Sequence, residues 1–465
     1  MDKVKLMQRQ KRSEYTVIPA EEVRFEPTSG RDIVGDVFHW HKGIYRGIRD
    51  PYAEFYSSIL SSDLGEKLTT IGLVPTKVTR YMLEGYELVL EHQKIPVVSY
   101  ASEWCTAMFK DAAILTCNLH EELLTAGLTL KDAHPQNVLF DCARPTFVDI
   151  GSIAKSAGRG KAFFLNDFRR TFLYPLLLRQ SGLALLANAA LVVHLGAQSF
   201  VSGNPDSPTS STLYRACRSN MPARQWMFHR FEEYRINRMW LRDPVSALRR
   251  LRDQVKAIPE DCGVTRGQPA DGGAHATARA ADPQHRELGK ILEQCKPESV
   301  IILGVGDGQS TLLAENCGAR VLAADIDDAR LNRLYRYVAA RNLRILPVRM
   351  DLHVPNQKHG PWGVCSAAES RLRSDLVIIE AMTSHFFTKE RISFDQLSRR
   401  LAAFSSRSAI VQFDERRWEG TDSWEATHCT EFSLGRFQEH LRRHFSEVRV
   451  AYEPREHRTF LVCSR

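Results

Sequence analysis

The sequence predicts two domains, and the C-terminal one is predicted to be an α/β domain with a doubly wound sheet. Three observations favour this fold: an apolar run at residues 300–303 that breaks into alternating glycines, a second apolar run that ends at Asp325, and an alternation of strand-like and helix-like stretches from there onward. The first 260 residues hold a separate group of polar residues, which indicates a second functional domain.

The glycine-rich stretch predicts a cofactor site. Residues 300–303 are consecutive aliphatic side chains, as expected of a strand that is covered on both faces. Gly304, Gly306 and Gly308 follow, and a helical pattern then begins. A strand, a glycine turn and a helix in this order bring backbone amides close to a nucleotide-like ligand. Asp325 closes the second strand at the spacing at which a carboxylate accepts both hydroxyls of a ribose.

Further elements follow in an order that fits one sheet. Predicted helices cover residues 329–341, 393–404 and 434–444, and predicted strands cover residues 343–349, 375–380, 409–413, 448–452 and 459–463. A short polar turn separates the last two strands, which predicts a terminal hairpin. A doubly wound sheet that closes with an antiparallel hairpin is not the usual ending of a dinucleotide-binding domain.

This part of the chain resembles the class I S-adenosylmethionine-dependent methyltransferases, whose seven-stranded Rossmann-like sheet ends in such a hairpin. The resemblance implies that Gly304, Gly306 and Gly308 bind the methionine part of S-adenosyl-L-methionine. It also implies that Asp325 holds the ribose and that Asp351, after the third strand, faces the adenine. The family usually has an acid two residues before the first glycine, where this chain has Ile302.

Two residues are the candidates for catalysis of methyl transfer. Glu380 and His385 lie at and just past the end of the fourth predicted strand, where ligands collect in open α/β sheets. His385 is the candidate base for an amine or hydroxyl acceptor, and its alternative role is a loop histidine that packs against the cofactor or a helix end. Asp414 and Glu415, after the fifth predicted strand, are weaker candidates.

The polar group of the first domain lies between residues 130 and 152. Asp132 is followed five residues later by Asn137, and Asp149 opens an Asp-x-Gly sequence after a short predicted hairpin. This arrangement resembles the catalytic core of the kinase-like fold, especially its aminoglycoside and choline kinase branch, and the resemblance implies an α+β N-terminal domain. The resemblance implies that Asp132 orients a hydroxyl group while Asn137 and Asp149 hold magnesium with ATP.

The chain upstream matches the kinase-like fold less well. Residues 43–47 do not have the G-x-G-x-x-G sequence of a phosphate-binding loop. Arg46 is the candidate replacement for the missing lysine, with Glu54 as its predicted ion-pair partner. The alternative interpretation is a kinase-like scaffold without phosphotransfer, which we favour.

Two enzymatic hypotheses therefore stand. In the first, the protein is a methyltransferase whose N-terminal domain recruits or positions the substrate. In the second, the N-terminal domain is a small-molecule phosphotransferase, and the methyltransferase fold only binds a ligand. The first is favoured, because the pairing of the glycine loop with Asp325 is intact whereas a phosphate-binding loop is missing. A third hypothesis is that both domains only bind partners.

Composition and charge narrow the choice of partners and compartment. The net charge of +8 is spread among interleaved acids and bases, so nucleic acid is not an expected partner. The longest apolar run, near residues 183–195, is too short to cross a bilayer, and residues 1–12 lack the apolar core of a secretory signal. Ten cysteines without a C-x-x-C pair predict reduced thiols, a cytoplasmic protein and no metal site.

The order of the two domains carries a further resemblance. The predicted boundaries are a kinase-like domain with a helical extension at 1–257, a flexible linker at 258–283 and a methyltransferase domain at 284–465. This combination resembles bacterial methyltransferases of rhizobial host-specific nodulation. The resemblance implies a role in nodulation host range, with a small molecule or a glycolipid as the methyl acceptor.

Overall fold

The structure is a computed structural model in which two lobes share one continuous hydrophobic core. The described residues of the N-terminal lobe run to residue 260, and those of the C-terminal lobe start at residue 283. The structure describes residues 15–27, 29, 32–156, 161–189, 191, 208–260, 283–355, 357, 366–380, 386–387, 391–414, 432–452 and 458–465.

The N-terminal lobe begins with short strands and two helices. In chain order they are β1 (Thr16–Val17), β2 (Arg24–Phe25), β3 (Gly35–Trp40), β4 (Gly43–Ile48), α1 (Ala53–Leu60), α2 (Asp63–Ile71), β5 (Thr76–Val78), β6 (Tyr81–Met82) and β7 (Leu88–His92). An antiparallel sheet joins five of them in the order β2-β3-β4-β7-β5, and β1 pairs with β6. One face of this sheet buries Phe38 and Tyr45, whose rings stack with centroids 5.6 Å apart.

The rest of this lobe is mainly helical and surrounds one long buried helix, α3. Its elements are α3 (Thr106–Thr125), β8 (Leu128–Leu130), β9 (Val138–Asp141), β10 (Arg144–Phe147), β11 (Ile153–Lys155), α4 (Lys161–Phe168), a π-helix (Arg169–Leu173), α5 (Tyr174–Gln180), α6 (Pro208–Asn220), α7 (Ala223–Trp240) and α8 (Pro244–Lys256). β9 and β10 form a hairpin, and β8 pairs with β11. Short 3-10 helices are present at Ala20–Glu22, Ala101–Glu103, Pro135–Asn137 and Ile150–Ser152. The kinase-like identity of the lobe stays a prediction.

The C-terminal lobe is a single sheet with helices on both faces. Its elements are α9 (Pro283–Cys295), β12 (Ser299–Leu303), α10 (Gln309–Asn316), β13 (Arg320–Asp325), α11 (Asp328–Arg341), β14 (Ile345–Arg349), α12 (Ala368–Arg371), β15 (Ser374–Ile379), α13 (Phe394–Phe404), β16 (Ser405–Asp414), α14 (Leu434–Arg442), β17 (Glu447–Tyr452) and β18 (Arg458–Ser464). The strand order is β14-β13-β12-β15-β16-β18-β17. The first five strands are parallel, and β18 is antiparallel to both of its neighbours.

This sheet confirms the predicted Rossmann-like methyltransferase sheet, including its terminal hairpin. Residues 300–303 are fully buried because β12 lies in the middle of the sheet with helices on both faces. Burial of each such aliphatic side chain contributes about 1.5–3 kcal/mol to stability. The predicted helix at 393–404 also forms, and Ser393 caps it by accepting a hydrogen bond from Gln396 N at 3.2 Å.

Ordered structure extends into the predicted linker at both of its ends. Ile258 is buried, Glu260 forms an ion pair with Arg336 of α11 at 2.5 Å, and Pro283 already begins α9. Burial acts to raise the pKa of Glu260, but the hydrogen bonds and charges of Arg336 and Lys110 outweigh it and lower that pKa. The middle of the linker, residues 261–282, lies outside the described residues, so the predicted boundaries stay a prediction.

The two lobes meet where α11 caps the N-terminus of α3. Cys105, at the N-cap position of α3, gives no side-chain hydrogen bond to the helix. Instead, the Asp328 carboxylate accepts hydrogen bonds from Thr106 N at 3.1 Å and Thr106 Oγ1 at 2.6 Å, and Asn332 Oδ1 accepts from Ala107 N at 2.9 Å. Residues of one lobe thus satisfy the backbone donors that begin a helix of the other lobe.

Within the described part of the chain, no helix combines the length and hydropathy that a bilayer crossing requires.

The cap from α11 generates a stability prediction. Asp328→Ala should lower the free energy of unfolding by about 1–2 kcal/mol, because it removes the acceptor for two donors at the start of α3. Urea denaturation followed by circular dichroism measures this change. Asp253→Asn, at an exposed position of α8, is the control and should change stability by less than about 0.5 kcal/mol. Equal effects of the two substitutions would contradict the role assigned to Asp328.

Candidate functional site

The glycine loop lies at the carboxyl end of β12. Gly304, Gly306 and Gly308 have φ angles of 85°, 59° and 86°, in the left-handed region that other residues rarely adopt. Gly304 N donates to Ala324 O at 2.8 Å, which ties the start of the loop to β13. Gly308 is the N-cap residue of α10. The loop therefore leads from a buried strand directly into a helix N-terminus, as the sequence predicts.

Asp325 connects this loop to the second strand. Its side chain is 5% exposed, and Oδ2 accepts a hydrogen bond from Val305 N at 2.9 Å. Oδ1 accepts from Asp327 N at 2.9 Å. The Arg330 guanidinium also donates to Oδ2 at 2.9 Å. Arg330 was not predicted as a partner of Asp325, because this contact forms only once α11 has folded.

Three of the predicted cofactor-binding residues come together around one small cavity. The cavity has a volume of about 40 Å³ and is lined by Gly304, Asp325 and Asp351. Its other lining residues are mostly apolar, and they are Ala324, Ile326, Met350, Leu352, His353, Phe386 and Ile392. Asp351 Oδ1 accepts a hydrogen bond from His353 N at 2.8 Å. The cavity therefore combines two carboxylates with apolar walls at the carboxyl edge of the sheet.

Glu380 lies one strand away from the glycine loop. Ile302 of β12 pairs with Ile378 of β15, so Gly304 and Glu380, each two residues further on, leave neighbouring strands at the same edge. Adjacent strands are about 4.8 Å apart. Glu380 Oε1 lies 3.5 Å from His285 Nε2, and the two side chains are 14% and 11% exposed. The result is a buried histidine and carboxylate pair beside the loop.

His285 is a candidate site residue that was not predicted from the sequence. It lies in the first turn of α9, directly after the predicted linker. Its position near the start of a helix is the one feature of the sequence that could have indicated it as a site residue. The neighbouring Gln284 accepts a hydrogen bond from Gln412 of β16 at 2.9 Å, which fixes α9 across the carboxyl edge of the sheet. Asp414 ends β16 and is buried. The predicted base His385 and the candidate Glu415 lie outside the described residues.

The predicted polar residues of the N-terminal lobe line a second, larger cavity. Asp132, Asn137 and Asp149 face a space of about 970 Å³ between the five-stranded sheet and the hairpin β9–β10. Asn137 Nδ2 donates to Asp132 O at 3.3 Å. Burial raises the pKa of Asp132; among the nearby charges, Asp149 adds to this effect and His134 opposes it.

The prediction that Arg46 pairs with Glu54 is wrong. The guanidinium pairs with Asp32, with Nη1 and Oδ2 2.8 Å apart, and with Asp149, with Nη2 and Oδ1 2.6 Å apart. Glu54 is exposed on α1, whereas the Arg46 side chain is only 6% exposed, so the glutamate lies on a surface that the guanidinium does not reach. Asp149, predicted to hold magnesium, is therefore already paired with an arginine that it shares with Asp32.

Over the described ranges, which omit His385 and residues 415–431, no three or more His, Cys, Asp or Glu side chains are grouped so that they could hold a metal ion.

Sequence comparison gives one significant relative among curated proteins. No family model matches the chain. The nodulation protein NoeA of Rhizobium meliloti strain 1021 is 26% identical over 389 residues, which cover 77% of this chain and 78% of NoeA. This match spans both lobes.

Structure comparison gives matches of low TM-score. An O-methyltransferase family protein from Burkholderia thailandensis matches with a TM-score of 0.30 and 13% identity over 42% of this chain and 59% of its own. Monomeric WbdD matches with a TM-score of 0.31 and 18% identity over 42% and 45%, respectively. The match therefore spans about half the length of these two structures.

The predicted resemblance to a rhizobial nodulation protein is confirmed by the similarity to NoeA. Independently of this similarity, the strand order β14-β13-β12-β15-β16-β18-β17 supports a methyltransferase sheet in the C-terminal lobe. The chain thus resembles NoeA over most of its length, and its C-terminal lobe has the seven-stranded class I methyltransferase sheet.

Proposed function

We propose that the protein is an S-adenosyl-L-methionine-dependent methyltransferase whose C-terminal lobe holds the cofactor. One observation carries this proposal: Gly304, Asp325 and Asp351 line the same cavity at the carboxyl edge of a sheet with the class I strand order. Ligands of open α/β sheets bind at this edge. The similarity to NoeA supports the further proposal that the methylated molecule is a nodulation signal or an intermediate of its synthesis.

The residues around the cavity fit the parts of this cofactor. The glycine loop with its left-handed backbone would hold the methionine part, and Asp325 would accept hydrogen bonds from the ribose. Asp351 and the apolar Met350 and Leu352 would surround the adenine. The bound cofactor would supply a methyl group on a sulfonium centre.

Glu380 and His285 are proposed to act on the methyl acceptor. The Glu380 carboxylate, with Oε1 3.5 Å from His285 Nε2, would accept a hydrogen bond from that nitrogen and orient the imidazole. A fixed, carboxylate-paired imidazole is a general base for an amine or hydroxyl. Both side chains are largely buried, so water is kept from this position. His385 remains a second candidate base and Glu380 a candidate catalytic residue, as the sequence predicts.

The N-terminal lobe is proposed to position the acceptor, which is a small molecule or a glycolipid. Its large cavity is lined by residues of both lobes, including Tyr100 from one and Ser366 and Arg371 from the other. Arg371 pairs with Glu103 at 2.5 Å, and Ser366 N donates to Tyr100 Oη at 3.2 Å. The comparisons give no support to the alternative function, a phosphotransferase in this lobe. The cytoplasmic location stays a prediction.

Cofactor binding tests the proposal directly. We expect calorimetric titration of the full chain with S-adenosyl-L-methionine to show binding that Asp325→Asn weakens roughly ten- to hundredfold, because the ribose loses a charged acceptor. Asp375→Asn, at the opposite edge of the sheet, where Asp375 accepts from Glu298 N at 3.0 Å, should bind like the wild type. No binding by the wild-type chain would overturn the proposed function.

Arg330 should oppose cofactor binding. A carboxylate has about four lone-pair positions, and Val305 N, Asp327 N and Arg330 use three of them on Asp325. The two hydroxyls of a ribose need two of these lone-pair positions, so Arg330 must release its hydrogen bond to Asp325 when the cofactor binds. Arg330→Gln should therefore tighten S-adenosyl-L-methionine binding roughly two- to fivefold, the 0.2–1 kcal/mol value of a partly exposed ion pair. Arg333→Gln, at an exposed position of α11, should change nothing. Weaker binding by Arg330→Gln would instead make Arg330 a cofactor ligand.

The roles of the histidine and carboxylate pair can be separated from cofactor binding. With a panel of amine and hydroxyl acceptors, release of S-adenosylhomocysteine should fall about 10²–10⁴-fold in His285→Asn, because the acceptor proton has no base. Glu380→Gln should lower it less and shift its pH dependence. Both variants should bind the cofactor like the wild type, and His440→Asn on α14 is the control. Full turnover in His285→Asn would leave His385 as the base.

A further inference from the structure

The cluster of charges at the polar end of the N-terminal cavity has no role in the proposed methyl transfer. It contains Asp132, Asn137 and Asp149, the residue types that hold magnesium in phosphoryl transfer. The described structure places a fourth side chain, Arg46, in the middle of this cluster. Whether a divalent cation fits there depends on what Arg46 already occupies.

Arg46 is held between two carboxylates that come from distant parts of the chain. Asp32, in the connection between β2 and β3, binds Nη1 at 2.8 Å, and Asp149, after β10, binds Nη2 at 2.6 Å. The arginine side chain is 6% exposed, so both ion pairs are largely shielded from water. Lys131 adds a second positive charge 3.9 Å from Asp32.

The backbone beside this cluster is shaped for the guanidinium. A Cβ atom at Gly151 would lie 2.3 Å from Arg46 Nη1 and 2.5 Å from Asp32 Oδ2, distances that real Cβ atoms do not show. The same turn is fixed from the other side by Tyr56, whose hydroxyl lies 3.1 Å from Gly151 O and 2.9 Å from Ile153 O. The glycine of the Asp-x-Gly sequence thus makes room for the arginine.

A divalent cation does not fit this arrangement. Magnesium needs carboxylate oxygens at about 2.0–2.1 Å with near-octahedral geometry. The Oδ1 atom of Asp149 is already bound by a guanidinium, and a dication beside it would lie within a few ångströms of a fixed positive charge in a poorly solvated place. The arginine charge cannot be removed by deprotonation.

We infer that the Arg46 guanidinium replaces a divalent cation in this cavity, so that ligands bind there without magnesium. Asp149, the predicted magnesium ligand, instead forms an ion-pair bridge with Arg46 and Asp32 that joins the five-stranded sheet to the Asp-x-Gly turn.

Manganese is the probe for this inference, because its binding to the full chain is measured directly by the loss of its free electron paramagnetic resonance signal. The wild-type chain and Asp149→Asn should give the same isotherm, with no site that depends on Asp149. Arg46→Gln leaves Asp32 and Asp149 without their shared cation, and we expect it to bind one manganese ion at least tenfold more tightly than the wild type. Adding Asp149→Asn to Arg46→Gln should remove that gain.

If Arg46→Gln is unstable, its unfolding temperature with and without manganese provides a second measurement. Arg46→Gln should lower the unfolding temperature, and millimolar manganese should restore it. Arg49→Gln is the matched control, because Arg49 pairs with Asp36 outside the cavity and donates to the backbone oxygen of Asp32 but not to its carboxylate, so its loss should create no manganese site. Manganese binding by the wild type that Asp149→Asn abolishes would overturn the inference, and so would a folded Arg46→Gln variant without any gain in manganese binding.

Discussion

The arrangement of the two lobes depends on hydrogen bonds at the start of α3, where side chains of α11 accept from the donors of Thr106 and Ala107. The N-terminus of a long helix carries backbone donors that its own cap residue does not satisfy here. Asp328 and Asn332 accept them from the other lobe, and Arg336, one turn further along α11, pairs with Asp111 of α3 at 2.6 Å. The same helix begins directly after the strand that ends in Asp325. One helix therefore joins the two lobes and, through Arg330, also contacts Asp325 of the candidate cofactor site.

The candidate site follows from the topology of the sheet rather than from any one motif. Parallel strands in the middle of a sheet end at the same edge, so residues far apart in sequence meet there. Gly304, Asp325 and Asp351 follow three adjacent strands, and Glu380 follows the neighbour on the other side of β12. The chain enters this edge once more at α9, which brings His285 opposite Glu380. The site is thus assembled from five separate segments.

The sequence predicted those parts of the structure that depend on local patterns. An aliphatic run such as residues 300–303 predicts a strand that is buried on both faces, because every side chain in it is apolar. Ser393 marks the start of a helix, because its hydroxyl caps the first turn. The terminal hairpin was predicted from the short polar turn between its strands. These features need only neighbouring residues to be specified.

The sequence did not predict contacts between distant charges. Arg46 was assigned to Glu54 because the two lie close in sequence, whereas its partner Asp149 is 103 residues away. His285 was missed for the same reason, since its partner Glu380 belongs to another strand. Arg330 lies only five residues from Asp325, yet a helix turn must form before the two meet. Ion pairs of this kind depend on tertiary structure, and periodicity contains no information about them.

The position of β18 has a consequence for the order in which the sheet assembles. β18 follows β17 in the chain but lies between β16 and β17, antiparallel to both. In this sheet β17 pairs only with β18, so it has no partner strand until β18 has been synthesised. β16 likewise gains its second neighbour only when β18, which carries the buried residues Phe460 to Cys463, has been made. Until then β16 is an unpaired apolar edge, exposed to association with other chains during biosynthesis.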